Sequence, residues 1–362
     1  MNSRGDFVKR LLTVLCLLTL ILVVASCAGF AEVDENQITE IPEEEIEPQS
    51  IEERKEVTIS MVGDIIFYGS VESYMKKYGD HYLLESYGPL MKKSDIVLGN
   101  LETSISKRGV PVEDKQYTFR GKPEALKTLK NNNFTAVSIA NNHVLDYGVE
   151  AFLDTLNYLE KYELLYAGGG RNKEEALKGI LIEKNGIKVG FLAFTKVVPL
   201  VEWYAGKNKP GIIGAYMLHE KEFVKAIKDM KQNCDVLVVS VHWGKESSTV
   251  IREEEQYIGR RMIDAGADII MGHHPHVVQG IEIYKGKPIF YSLGNFIFTK
   301  SRNDLNNKTI MANVTVDKEG NIIDINIIPG NIINGKPTPM EGAEKDSFIK
   351  HLNKMNVNYV VN

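Results

Sequence analysis

Five short runs rich in Val, Ile, Leu and Ala punctuate the chain: Val57–Val62, Asp95–Leu98, Phe134–Ile139, Asp235–Val241 and Ala267–Met271. Their apolarity is continuous rather than alternating, the pattern of strands covered on both faces. Helical spacing of apolar residues falls between them, over Tyr82–Lys92, Pro123–Asn131, Val149–Lys161, Glu220–Lys231 and Glu253–Ala265. Strands alternating with helices predict βαβ units. Three hairpins are also expected. Gly179–Glu183 and Ile187–Phe194 flank Asn185-Gly186, a strong two-residue turn signal. Val278–Tyr284 and Pro288–Leu293 flank Lys285–Lys287, and Ile310–Val316 and Ile322–Ile328 flank Asp317–Gly320. Such hairpins fit one mixed sheet, or two sheets packed face to face with helices outside; the second arrangement is adopted. The predicted α/β domain covers 57–335. Beyond Pro329 the chain turns polar, so 336–362 is expected to be a short appended segment.

Each apolar run ends in a residue able to bind metal or move a proton. The endings are Val62-Gly63-Asp64, Gly99-Asn100-Leu101-Glu102, Ala140-Asn141-Asn142-His143, Val241-His242-Trp243-Gly244 and Gly272-His273-His274-Pro275-His276. In open α/β sheets ligands collect outside the carboxyl ends of strands, and Asp, Glu, Asn and His are ligands for divalent metals. Taken singly, most of these endings have an ordinary structural alternative. Asp64 alone reads as a turn. Asn100 and Glu102, two apart on extended chain, project from one face as two oxygen ligands, or as a satisfied loop. Asn142 could bind a metal while His143 acts on substrate, or Asn141-Asn142-His143 could form an Asx turn or helix cap into the following helix, a role Asp146 and Gly148 could also serve. A lone strand-end imidazole such as His242 is often a satisfied core residue. Three imidazoles within His273–His276, kinked by Pro275, point to metal. Arg120 could meet an anionic substrate at a helix start, or be a solvated loop charge. Asn295, in Tyr291–Phe296, could contact the histidine loop or simply pack.

The ends of the chain change the picture of where it works. Arg4, Lys9 and Arg10 precede an uncharged apolar run from Leu11 to Val24, the length of a signal-peptide core and short for a spanning helix. It stops at Val24-Ala25-Ser26-Cys27, similar to a bacterial lipoprotein box in which Cys27 is lipidated; a signal anchor with a chance cysteine is the alternative. Either reading exports the chain and holds it at the membrane, on the extracellular face. Residues 28–56 are acidic and poor in large apolar groups, the composition of a disordered tether. Residues 1–56 hold 5 Lys and Arg against 12 Asp and Glu, so the whole-chain net of −5 leaves about +2 for the remainder. A broad basic surface for nucleic acid is not indicated. Cys16 and Cys27 lie in the leader, leaving Cys234 alone, so a packed core rather than disulfides must hold the domain.

In this order the segments resemble the CapA family of poly-γ-glutamate capsule proteins, itself related to calcineurin-like metallophosphoesterases. The likeness runs from Val57 to Phe298 and rests on the five endings together with Asp146, Gly148 and Tyr291-Ser-Leu-Gly294-Asn295-Phe296. It implies a four-layer α-β-β-α sandwich of metallophosphoesterase type with mixed sheets. It further implies that Asp64, Asn142, His242, His273 and His276 hold one or two divalent ions. Asn100 or Glu102 would stand at the bridging position, His143 would serve as general acid or phosphate contact, with Glu102 the second catalytic candidate, and His274 would fall to substrate. Position 66 is Ile where the phosphoesterase pattern has an imidazole, and Asn100 is neutral where it has a bridging Asp. One ion is therefore expected to be held well and a second less so. The expected function is synthesis, export or attachment of poly-γ-glutamate at the membrane, with the polymer and membrane synthase subunits as partners. Two alternatives stand beside it: an extracytoplasmic phosphoesterase acting on envelope material, and a non-catalytic binder of anionic polymer.

Overall fold

The computed structural model describes residues 56–361. The leader 1–27 with Cys27, and the tether up to residue 55, lie outside the described residues. Two sheets contain the strands β1 (Glu56–Ile65), β2 (Ile96–Leu101), β3 (Ala136–Ser138), β4 (Leu165–Ala167), β5 (Ile180–Lys184), β6 (Ile187–Thr195), β7 (Val236–His242) and β8 (Ile269–His273). They continue with β9 (Ile281–Tyr284), β10 (Lys287–Phe290), β11 (Asn295–Ile297), β12 (Lys308–Asp317), β13 (Ile322–Ile333) and β14 (Lys336–Pro339). The helices are α1 (Ser70–Tyr78), α2 (Gly88–Met91), α3 (Leu126–Lys130), α4 (Gly148–Lys161), α5 (Lys173–Lys178), α6 (Glu220–Lys231), α7 (Glu253–Ala265) and α8 (Gly342–Met355).

The first sheet has the order β14-β13-β12-β1-β2-β3-β4, with β11 also paired to β1. The second has the order β9-β10-β8-β7-β6-β5. Both are mixed: β1, β2, β3 and β4 are parallel, as are β6, β7, β8 and β10, and the three expected hairpins supply antiparallel pairs. Three apolar layers define the stacking. Between the sheets lie Ile59 and Met61 of β1, Leu98 of β2, Phe191 of β6, Val236 and Val238 of β7, and Ile269 and Met271 of β8. Outside the first sheet, Val97 and Val137 meet Leu129 of α3 and Phe152, Leu156 and Leu159 of α4. Outside the second, Leu237, Val239 and Val241 meet Phe223 and Ile227 of α6 and Ile258 and Met262 of α7. The order helix, sheet, sheet, helix is the four-layer sandwich expected from the sequence. Successive residues of each strand serve opposite layers, which is why the central strands carry no polar face.

The alternation also decides where the chemistry falls. Leu98 of β2, Val236 and Val238 of β7, and Ile269 and Met271 of β8 face the inter-sheet core. Continuing two at a time along the same faces gives Asn100, then Ser240 and His242, then His273. The polar cluster is thus the continuation of the inter-sheet core past its apolar rows. β1 needs a correction to join in. Met61 pairs with Leu98 but Asp64 pairs with Asn100, so β1 carries one extra residue there. This bulge moves Asp64 onto the inner face, which strict alternation would have given to Gly63. Gly63 is required at that point: a Cβ would come within 1.9 Å of the Gly294 carbonyl oxygen.

Three differences from the sequence reading are instructive. The helix expected over Tyr82–Lys92 is two short pieces, a 3-10 turn at Tyr82–Leu84 and α2, because Gly88-Pro89 starts a new turn. The first strand begins at Glu56, the last residue assigned to the tether. The polar segment after 335 adds β14 to the first sheet and ends in α8, whose Phe348 and Leu352 enter the inter-sheet core. With Ile349 and Met355 packed beside them, these few apolar side chains dock the helix and leave the composition polar. Among the described residues no helix is long and apolar enough to cross a membrane.

Candidate metal centre

Glu102, just past the end of β2, occupies the middle of the polar cluster and is fully buried. Its Oε1 has no hydrogen-bond partner. Three imidazole nitrogens surround that oxygen: Nε2 of His242 at 3.4 Å, of His276 at 3.8 Å and of His143 at 3.9 Å. Those separations are too long or misdirected for hydrogen bonds and leave room for a cation between donors. Nε2 of His273 and Nδ1 of His274 are likewise buried without partners. A buried polar atom left unpaired costs about 1–3 kcal/mol, so several at one point need an explanation such as an ion.

Hydrogen bonds fix the first wall. The Asn100 amide nitrogen donates to Asp64 Oδ1 at 2.9 Å, and its oxygen accepts from Asn141 Nδ2 at 3.0 Å. Asn100 therefore turns nitrogen rather than oxygen to the cluster, and its oxygen is engaged by Asn141 instead of being offered as a ligand. Asn141 holds the turn as well, accepting from the backbone of His143 and Val144 at 3.1 and 2.9 Å. This is the Asx turn weighed from the sequence, and it frees the next side chain: Asn142 Oδ1 lies 2.7 Å from His242 Nε2. With Asn100 donating to His242 Nδ1 at 3.3 Å, the His242 proton sits on Nε2, aimed where the Asn142 and Glu102 oxygens converge. A cation would replace that proton.

The second wall is the histidine loop. His274 and His276 have φ of 95° and 56°, left-handed values that non-glycine residues rarely hold. Bracketing Pro275, these two residues turn the loop back over the strand ends. His276 Nδ1 lies 3.2 Å from Asp64 Oδ2 and 2.9 Å from Asn295 Oδ1, so Asn295 contacts the loop rather than only packing. His273 Nδ1 is 3.1 Å from Asp64 Oδ1. Two triads have ligand atoms within 4.8 Å of one another: Asp64 with Glu102 and His242, and Glu102 with His274 and His276. Glu102 belongs to both. His274, assigned to substrate by the family pattern, falls in a ligand triad, while His273 stands against Asp64.

The electrostatics agree with a missing positive charge. Burial and then the charge of Asp64 push the Glu102 carboxyl well above its usual range. Burial would raise Asp64 too, but hydrogen bonds from His273 and His276 hold it well below. Burial pushes His276 down, yet Glu102 and Asp64 outweigh it and lift the imidazole to about 10. His242 is driven well down by burial and then His274, and His274 falls to about 3 by burial and then His276. The donor set of two carboxylates, one amide oxygen and imidazoles fits a divalent ion, which His276 would bind only after giving up its proton.

His143 is held for a different task. Its Nδ1 lies 2.7 Å from Asp146 Oδ2, which makes Nδ1 the donor and turns Nε2 toward Glu102. Burial lowers its basicity against the pull of Asp146. The Lys115 ammonium donates to Asp146 and the Asn142 carbonyl, and lies 5.2 Å from the Trp203 ring centroid. Sequence reading missed Lys115, a lone lysine in an irregular loop with no local signal. Arg120 is not brought to the cluster. Its guanidinium donates to the carbonyls of Arg108 and Gly109, both at 3.2 Å, and lies over the Tyr147 ring.

The family model described as bacterial capsule synthesis protein PGA_cap matches residues 58–300. The capsule biosynthesis protein CapA of Bacillus anthracis is 33% identical over 316 residues, 86% of this chain and 76% of that protein. The PGA biosynthesis protein CapA of Bacillus subtilis (strain 168) is 38% identical over 244 residues, 67% of this chain and 63% of that protein. Among solved structures, a 5'-nucleotidase precursor from Thermus thermophilus superposes with a TM-score of 0.42 at 12% identity, covering 79% of this chain and 54% of that one.

Proposed function

The chain belongs to the bacterial capsule synthesis protein family, and from that membership we propose that it acts in poly-γ-glutamate capsule synthesis, export or attachment through a divalent-metal centre. The observation that carries the metal is the unpartnered Glu102 oxygen ringed by three imidazole nitrogens. Asp64, Glu102, His242 and Asn142 would hold one ion; Glu102, His274 and His276 would hold a second, with His274 making up for the imidazole that Ile66 lacks. Bound there, the metal would supply a Lewis acid able to polarise an acyl or phosphoryl oxygen. The residues do the rest. Asp146 keeps the His143 proton on Nδ1, so that Nε2 can accept a proton from a substrate group or, once protonated, return it. Lys115 balances the Asp146 charge.

A second reading, an extracytoplasmic hydrolase of envelope material, is favoured by one observation: a binder has no need for the Asp146–His143 pair. The chain is further proposed to be anchored through Cys27 to the outer face of the membrane, where the polymer and membrane synthase subunits would be its partners.

Metal analysis of the purified protein together with capsule production separates these readings. We expect up to two equivalents of divalent ion, their loss in Glu102→Gln, and loss of capsule in cells carrying that variant. Full capsule with a metal-free variant would remove the metal from the function; hydrolysis of simple phosphodiesters by the loaded protein would favour the hydrolase.

A further inference from the structure

Three aromatic rings from three separate strand-end loops line one side of the metal centre. Tyr68 follows β1, Phe119 lies in the loop after β2, and Phe298 follows β11. Phe119 stacks on the His143 ring with centroids 4.2 Å apart and an interplanar angle of 24°, and Phe298 lies 5.0 Å from the His276 ring. Phe119 and Phe298 meet edge to face at 6.4 Å, and Tyr68 continues the row 5.5 Å from Phe119. Phe119 and Phe298 each brace an imidazole, which is reason enough for their presence. Tyr68 is different: among the described residues its one ring contact is Phe119, and it stays 42% exposed. An aromatic surface that begins at the ligands and runs outward into solvent is suited to contact apolar groups of something bound at the centre.

Resting on the capsule-polymer reading above, we propose that the Tyr68–Phe119–Phe298 wall is the specificity surface for a γ-linked polyglutamate chain. Each γ-glutamyl unit carries one carboxylate and two backbone methylenes. The chemistry would be complementary on both counts: carboxylates suit a metal-loaded centre, and the methylene pairs suit the ring faces. A polyanion with the same charge but no methylene pair in its backbone gains only the first contact. The wall therefore separates poly-γ-glutamate from other polycarboxylates, which the metal ligands alone cannot do.

The test is titration of metal-loaded full-length protein with oligo-γ-glutamate and with oligo-α-aspartate of equal charge, in wild type, Tyr68→Ala and Tyr68→Phe, with bound metal counted in each. Uncovering two methylenes should weaken γ-glutamate binding about tenfold in Tyr68→Ala. Tyr68→Phe should bind as wild type, aspartate binding should be equal in all three, and metal content should not change. Equal γ-glutamate affinity in Tyr68→Ala overturns the wall. Equal weakening toward both polymers, or loss of metal, assigns Tyr68 a structural role and overturns it as well. If wild type binds neither polymer, the capsule-polymer reading itself fails, before any variant is measured.

Discussion

Two buried charged clusters sit at opposite ends of the same sandwich, and they are finished differently. At the amino ends of β7 and β8, Asp268 is nearly buried and fully paired: it accepts from the Leu237 backbone at 2.7 Å, from Lys231 Nζ at 2.7 Å and from Lys287 Nζ at 2.6 Å. At the carboxyl ends, Glu102 is as deeply buried, yet one oxygen has no partner and the nearby His273 and His274 carry unpaired nitrogens. Both lie just beyond a strand, in the same kind of position relative to the core. The first cluster is complete as protein. The second leaves buried donors unpaired, and the burial-raised Glu102 carboxyl is compatible with the cation proposed there.

The comparison can be broken most strongly at the finished end. Asp268→Ala leaves two ammonium groups with only the Asp235 and Gly320 carbonyls and strands one backbone N–H, and should cost about 3 kcal/mol of unfolding free energy. Because both lysines are partly exposed, part of their charge is screened and the loss stays below that of a fully buried pair. Urea unfolding should give the same loss with metal and with chelator; a chelator-dependent loss would mean the two ends are not independent.

The unfinished end should respond to metal instead. At a free ion concentration one hundred times its dissociation constant, binding to the native state alone stabilises by about 2.7 kcal/mol. Wild-type melting should therefore shift upward with divalent ion and back with chelator, and Glu102→Gln should abolish the shift. Superimposable wild-type melting curves with and without chelator would place Glu102 in the same class as Asp268.

How much of this was legible in the residues follows from the same contrast. The central strands and the outer helices α4, α6 and α7 were readable because each leaves a local apolar signature, while the short strands β4, β11 and β14 were not. The five polar endings were readable because polar groups at the end of a continuous apolar run are costly. What escaped notice depends on neighbours distant in sequence. The bulge that aims Asp64 rests on Gly63 meeting Gly294 across more than 200 residues. The amide orientation of Asn100 is set by Asn141, and the place of Lys115 by Asp146. The roles of His273 and His274 could not be told apart from spacing, since they depend on the positive φ values at His274 and His276. Helix α8 was hidden because only four apolar side chains, Phe348, Ile349, Leu352 and Met355, dock it within a polar segment.

The smallest expected effect sharpens the boundary of the centre. Arg120 was a reasonable candidate for meeting an anion, since a guanidinium beside a helix start is suited to that task. Its donors instead close the loop carbonyls of Arg108 and Gly109, and its face lies 4.3 Å from the Tyr147 ring centroid. Removing it takes away hydrogen bonds to partly solvated carbonyls and one cation–π contact, together about 1 kcal/mol. Arg120→Ala should lower the melting temperature slightly and leave both metal stoichiometry and anion affinity as in wild type. A drop in anion affinity at unchanged metal content would extend the centre to this loop and remove the distinction between residues that meet the ligand and residues that only hold the wall behind it.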